Sequence, residues 1–87
     1  MTAFRGATAE RRTGMSWTTD MSRAEEFRQR HSWQAPTAIY QAVLTPDAVL
    51  ALLERRGEGR EVVADFEMLT AVKQVGPTYL QRFREDG

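Results

Sequence analysis

The sequence predicts a single α+β domain, and two observations carry that reading. Several short runs of strand-forming residues are separated by glycine- and proline-bearing breaks, whereas one stretch, Met21 to His31, combines helical spacing with a capping signal. One strong helix is too few for the repeated crossovers of a wound parallel sheet, so the fold class is α+β, with many short strands around one main helix. A chain of 87 residues buries only about 60 to 65% of its unfolded surface, which makes residues 1–87 one domain with a small core.

The elements follow in order. Thr2-Ala3-Phe4 reads as a first strand that turns at Arg5-Gly6. Ala7 to Thr13 is polar and without period, a loop with room for one helical turn, and it stops at Gly14. Met15-Ser16-Trp17-Thr18 alternates apolar and polar residues, as in a half-buried strand with Met15 and Trp17 inward and both hydroxyls outward. Asp20 or Ser22 can cap the helix that follows, Ser22 to Glu25 has capping-box spacing, and Met21, Ala24, Phe27 and His31 form its apolar face. Gln34-Ala35-Pro36 breaks the pattern, and Thr37 to Leu44 resumes as a strand rich in β-formers.

Thr45-Pro46 supplies an N-cap and a proline at the first helical position, predicting a short helical turn to about Leu50. Val49 to Leu53 fits helix or buried strand equally. Arg55 to Arg60 is a charged, glycine-bearing loop, and Glu61-Val62-Val63-Ala64 is a short strand. Leu69 to Val75 forms a last strand with Leu69, Ala71 and Val75 inward, ended by Gly76-Pro77. The tail, residues 77–87, has the spacing of a short helix with Tyr79, Leu80 and Phe83 on one side.

Composition excludes several function classes. Twelve basic residues balance twelve acidic ones, so no whole-chain positive field exists to collect a polyanion and general nucleic-acid binding is disfavoured. With no cysteine and one histidine the sequence offers neither a disulfide framework nor a plausible all-protein zinc site, and no metal is expected. Neither a signal pattern nor a run of about 18 apolar residues occurs, which predicts a cytoplasmic protein with no membrane segment.

Three islands stand out: Phe4-Arg5-Gly6, Gly14 to Asp20, and Gly57 to Val63. Together with Tyr40 to Val43 and Pro46 to Ala51, they resemble the ADP-ribosyltransferase-like fold in its arginine-serine-glutamate branch, as found in small phage and actinobacterial-type proteins. The resemblance covers most of the chain up to Val75 and implies a small, mostly antiparallel split sheet with one main helix. It also implies NAD as cofactor and an unknown acceptor of ADP-ribose. Under it, Arg5 and Gly6 hold the cofactor, with the arginine offering a planar fork of donors to phosphate or ribose oxygens. Ser16 and Thr18 floor the nicotinamide-ribose site. Glu61 is the catalytic carboxylate, and Glu58 addresses the acceptor. In the family pattern an acidic or amide residue stands two positions before the catalytic glutamate; here that position is Gly59, with Glu58 three before. The expectation is that Arg5, Ser16 and Glu61 converge on one cleft with their side chains directed into it.

Two other readings stay open. One is a noncatalytic interaction protein, for example a phage-encoded inhibitor of a host or defence protein, which docks on its partner or on a second copy through Trp33, Tyr79, Leu80 and Phe83. The other is an RNA 2′-phosphotransferase-like enzyme of the same superfold, which is disfavoured because that chemistry leans on histidines and the chain has only His31.

Overall fold

The computed structural model describes residues 1–32, 35–54, 60–69 and 71–79. Trp33, Glu58, Leu80 and Phe83 lie outside the described residues, as does the side chain of Tyr79. Among the described residues one α-helix packs on a six-stranded sheet in which every pairing is antiparallel. The strands are β1 (Thr2–Thr8), β2 (Ser16–Thr18), β3 (Thr37–Val43), β4 (Val49–Glu54), β5 (Arg60–Ala64) and β6 (Lys73–Tyr79), and the helix is α1 (Met21–His31). Short 3₁₀ turns occupy Ala9–Arg11, Pro46–Ala48 and Phe66–Met68. No helix among the described residues is long and apolar enough to cross a membrane.

The strand order is β4-β5-β2-β1-β3-β6. Its centre is its thinnest seam: β1 and β2 share the single register pair Phe4↔Thr18, whereas β1 and β3 pair along their whole length from Thr2↔Val43 to Thr8↔Thr37. The sheet is thus two three-stranded halves tacked together at one point.

Register assigns the two faces. Phe4, Gly6, Thr8, Ser16, Thr18, Ile39, Glu61 and Val63 alternate onto the face that carries α1. Ala3, Trp17, Ala38, Tyr40, Ala42, Val62 and Ala64 lie on the other, where Leu44 and Ala48 complete a buried cluster and Val49, Leu69 and Val72 pack against it. Alanines dominate that core, so segments approach closely and the bulk comes from Trp17 and Tyr40.

Helix α1 lies over β1 and β3. Asp20 caps it, its carboxylate accepting from the Ser22 amide at 2.9 Å, and Ala24 is fully buried beneath it. Gly6 makes that approach possible: a Cβ there would stand 2.2 Å from the Ala24 carbonyl oxygen and 2.6 Å from the Arg28 nitrogen.

Several expectations are corrected here. The first strand does not turn at Arg5-Gly6 but runs on to Thr8, because Gly6 serves helix contact and not a bend. Met15 lies outside β2 and is 44% exposed, while Thr18 is buried, so the inward and outward assignments of that segment fail at both ends. Phe27 and Met21, read as inward, are half-exposed because α1 meets the sheet through its smallest residue. The apolar run at Val49 is an edge strand, and Leu50, Leu52 and Leu53 are exposed on it. Gly76-Pro77 does not end the last strand. β6 begins at Lys73 and passes through both residues to Tyr79, which excludes a helical turn at Tyr79. Between Ile39↔Val75 and Thr37↔Tyr79 the register slips, a bulge in which Gly76 takes φ +91° and proline is tolerated because an outer strand does not need every N–H. Ala71 is exposed, with φ +54°.

Candidate functional site

Because α1 covers β1 and β3, the helix-side residues of β2 and β5 are left beside it as one wall of a cleft. The cleft measures about 490 Å³ and includes Arg5, Gly6, Ser16, Thr18 and Glu61 in its lining. Thr18 and Glu61 are direct cross-strand partners, and Ser16 lies two residues along β2 on the same face. Directly opposed side chains have Cβ atoms about 5 Å apart, so two hydroxyls and a carboxylate share a single patch. Of the three residues expected to converge, Ser16 and Glu61 do so by register, with Thr18 beside them, whereas Arg5 alternates onto the opposite face of the sheet.

Arg5 reaches the cleft differently. It faces Tyr40 across the β1–β3 ladder and so alternates onto the side away from α1. Beyond Phe4↔Thr18 the β1–β2 ladder fails, and the Arg5 side chain enters the gap. Its Nη1 donates to the Ser16 carbonyl and its Nε to the Arg11 carbonyl, each at 2.8 Å. The guanidinium thus replaces missing backbone pairing and braces β2 and the Ala9–Arg11 turn to β1. Two edges of the expected donor fork are spent on the protein's own carbonyls. Burial, and next the charge of Arg11, lower the Arg5 pKa. Gly14 lies against this brace, since a Cβ there would come within 2.1 Å of Arg5 Nη2.

The junction after β2 is held by three hydroxyl and carboxylate contacts. Thr18 Oγ1 accepts from the Asp20 amide at 3.0 Å, and the Asp20 carboxylate accepts from both the amide and the hydroxyl of Ser22. The hydrogen bond from the Ser22 hydroxyl, followed by that from its amide, lowers the Asp20 pKa. A depressed carboxyl stabilises the fold above its unfolded-state value and loses that contribution as pH falls through the folded value. Asp20→Asn, which caps nearly as well without titrating, is therefore expected to flatten the acid side of the stability curve. Circular dichroism at 222 nm between about pH 5 and pH 2 reads the difference, and identical acid transitions in both proteins would remove the cap from this role.

Thr19 lies inside the Gly14 to Asp20 island, and its task appears only in the fold. Its amide donates to the Arg60 carbonyl and its hydroxyl accepts from the Arg60 amide, both at 3.0 Å. That clamp continues the β2–β5 pairing past Thr18↔Glu61 and fixes the backbone immediately before Glu61. Thr19→Val removes the hydroxyl acceptor while preserving shape. The expected cost is about 1 kcal/mol, with faster hydrogen exchange at Arg60 and Glu61, and unchanged exchange there would show that the clamp positions nothing.

The remaining lining includes Phe4, Thr8, Glu10, Arg11, Arg23, Phe27, His31 and Ala35. Arg11 and Arg23 bring positive charge to the same cleft, although Arg23 also pairs with Glu26 at 2.9 Å. The i, i+4 spacing of Phe27 and His31 was the available signal for these side chains, but it reads equally as a core stripe. Among the described residues no group of three potential metal ligands is brought together.

No family model, curated protein or solved structure matches the chain.

Proposed function

We propose that the chain is an NAD-dependent mono-ADP-ribosyltransferase-like protein whose cleft takes the nicotinamide ribose at Ser16, Thr18 and Glu61. The observation that supports this reading most strongly is the cross-strand placement of Glu61 beside Thr18, with Ser16 on the same face of the cleft. A volume near 490 Å³ is within the usual range for small-molecule sites, about 300 to 1,000 Å³. Hydroxyls and a carboxylate are the groups that hydrogen-bond a ribose diol. Arg11 and Arg23 supply the cationic charge that phosphates require, while Arg5 acts through Ser16 as a positioning residue.

The chemistry asked of the site is modest. The bond between the anomeric carbon and the nicotinamide nitrogen breaks with its electron pair leaving on nicotinamide. A lone pair of the acceptor forms the new bond, and the acceptor proton passes to solvent. Glu61 accepts the ribose 2′-hydroxyl hydrogen bond and offsets positive charge at the anomeric carbon, the preorganised electrostatics that catalysis depends on. NAD titrated against tryptophan fluorescence, with free nicotinamide assayed in parallel, tests the reading. Saturable quenching accompanied by nicotinamide release is expected, and neither signal at millimolar NAD would overturn it.

One observation favours the interaction reading instead. Leu50, Leu52 and Leu53 are 57, 44 and 48% exposed on the outer strand β4, and an exposed apolar edge is a template for pairing with another chain. Sedimentation of wild type and Leu52→Lys decides between a monomer and an associating protein.

A further inference from the structure

We infer that the outer strand β4 pairs with β4 of a second copy of this chain, joining two six-stranded sheets edge to edge about a two-fold axis at Leu52. The pairing is independent of the NAD reading, because no β4 residue lines the cleft.

The two edges of the sheet are built differently. β6, at one end, carries features that stop further strands from adding. Lys73 is exposed on it, a bulge at Gly76-Pro77 interrupts it, and the Gln74 side chain donates to the Gly76 carbonyl at 3.0 Å. β4, at the other end, has no proline and no charge before Glu54, whose carboxylate pairs with Arg60 at 3.0 Å. A register shift between Val49 and Ala51 sits at its start and leaves Ala51 to Glu54 paired regularly with β5. Among the described residues no strand covers its outer side. Adding β4 to a neighbour's β6 would build an open fibre, and the guarded β6 edge blocks it. Pairing β4 with itself closes after two copies.

The apolar surface is concentrated on the same edge. Of the ten exposed large hydrophobic side chains among the described residues, Leu50, Leu52 and Leu53 lie on β4, and Phe66 and Met68 lie in the turn beside its start. That turn packs on Pro46–Ala48, where the Asp65 amide donates to the Ala48 carbonyl at 2.8 Å. Exposures of 42 to 57% on these five residues leave roughly 400 Å² of apolar surface per copy, a size that marks an interface. Two such surfaces total roughly 800 Å² before the strand backbones are counted, which places the pair among weak, concentration-dependent interfaces.

Charge and register select Leu52 as the centre. A two-fold axis normal to the sheet keeps every side chain on its own face, so it must pass through a residue position. Ala51 as centre draws the irregular Leu50 into the middle of the ladder, and Leu53 brings the two Glu54 carboxylates to about 7 Å. With Leu52 opposite itself, Leu53 faces Ala51 of the second copy. The Glu54 residues then stand about 13 Å apart, beyond the screening length of about 8 Å at physiological salt. Twelve acidic and twelve basic residues leave no net charge to hold two copies apart.

The chain has no cysteine, so single introduced cysteines report the register. Sedimentation velocity of the wild type between about 10 μM and 1 mM is expected to show monomer giving way to dimer. Leu52→Lys sets two ammonium groups against each other across the axis and is expected to weaken the dimer about tenfold or more. Leu52→Cys places two Cβ atoms about 5 Å apart, close enough for a disulfide-linked dimer on mild oxidation, whereas Lys73→Cys on β6 stays monomeric. Should Leu52→Lys fail to fold, the cysteine pair carries the test alone. A wild type that is monomeric at about 1 mM overturns the pairing and leaves the edge to a different protein. Linkage through Lys73→Cys in place of Leu52→Cys, growth into assemblies larger than a dimer, or undiminished association of folded Leu52→Lys overturns it equally.

Discussion

Gly6→Ala is expected to cost about 3 kcal/mol or more, the largest single-residue stability loss in the molecule. Adding one methyl group to a packed contact typically costs about 1 to 3 kcal/mol when neighbouring side chains can adjust. Here the neighbours are the Ala24 carbonyl oxygen at 2.2 Å and the Arg28 nitrogen at 2.6 Å, and helix backbone cannot turn aside as a side chain does. The only relief is for α1 to lift from β1. That exposes Ala24, loosens the bond from Thr37 Oγ1 to the Arg28 carbonyl at 2.8 Å, and displaces the helix wall of the cleft. Urea denaturation measures the effect. A loss under 1 kcal/mol would show that α1 is not seated on β1 as described.

Glu61→Gln carries the largest functional expectation. The amide keeps the size of the side chain and can still accept one hydrogen bond, so the fold and most NAD affinity should persist. It carries no negative charge to offset the cationic anomeric carbon, and loss of a preorganised electrostatic group of this kind costs about 10² to 10³ in rate. Nicotinamide release by the variant should fall by that factor with a nearly unchanged NAD dissociation constant. Equal turnover in variant and wild type would remove Glu61 from catalysis.

The gap between sequence and structure has a consistent physical origin. Helix α1 was legible to its ends because its signals are local: a capping aspartate, helical spacing, and a break at Gln34-Ala35-Pro36. Five of the six strands were legible as elements, but the ends of β1 and β6 were not, and β4 read as helix or strand alike. Gly6 and Gly76-Pro77 look like punctuation along the chain, yet one exists to admit a helix and the other occupies a bulge on an outer strand. Both reasons depend on residues far away in sequence. Val49 to Leu53 showed the same limit, because whether an apolar strand is buried depends on its place in the sheet.

The site divides along the same line. Ser16, Thr18 and Glu61 were singled out by residue type and resemblance, and β2–β5 pairing puts them on one face. The structural tasks of Arg5 and Thr19 were not identifiable. Arg5 braces a ladder that stops after one pair, and Thr19 clamps Arg60 across a pairing that no spacing reveals. Phe27 was recognised as apolar but assigned to the core, since helical periodicity does not distinguish a core stripe from a cleft wall.

Amide chemical-shift mapping on the labelled protein during NAD titration tests the location of the site most directly. Saturable shifts are expected, confined to Phe4 to Gly6, Ser16 to Thr19, Glu61 and the α1 wall at Phe27, with β4 and β6 silent. Shifts clustered on β4, or none at saturating NAD, would contradict that location.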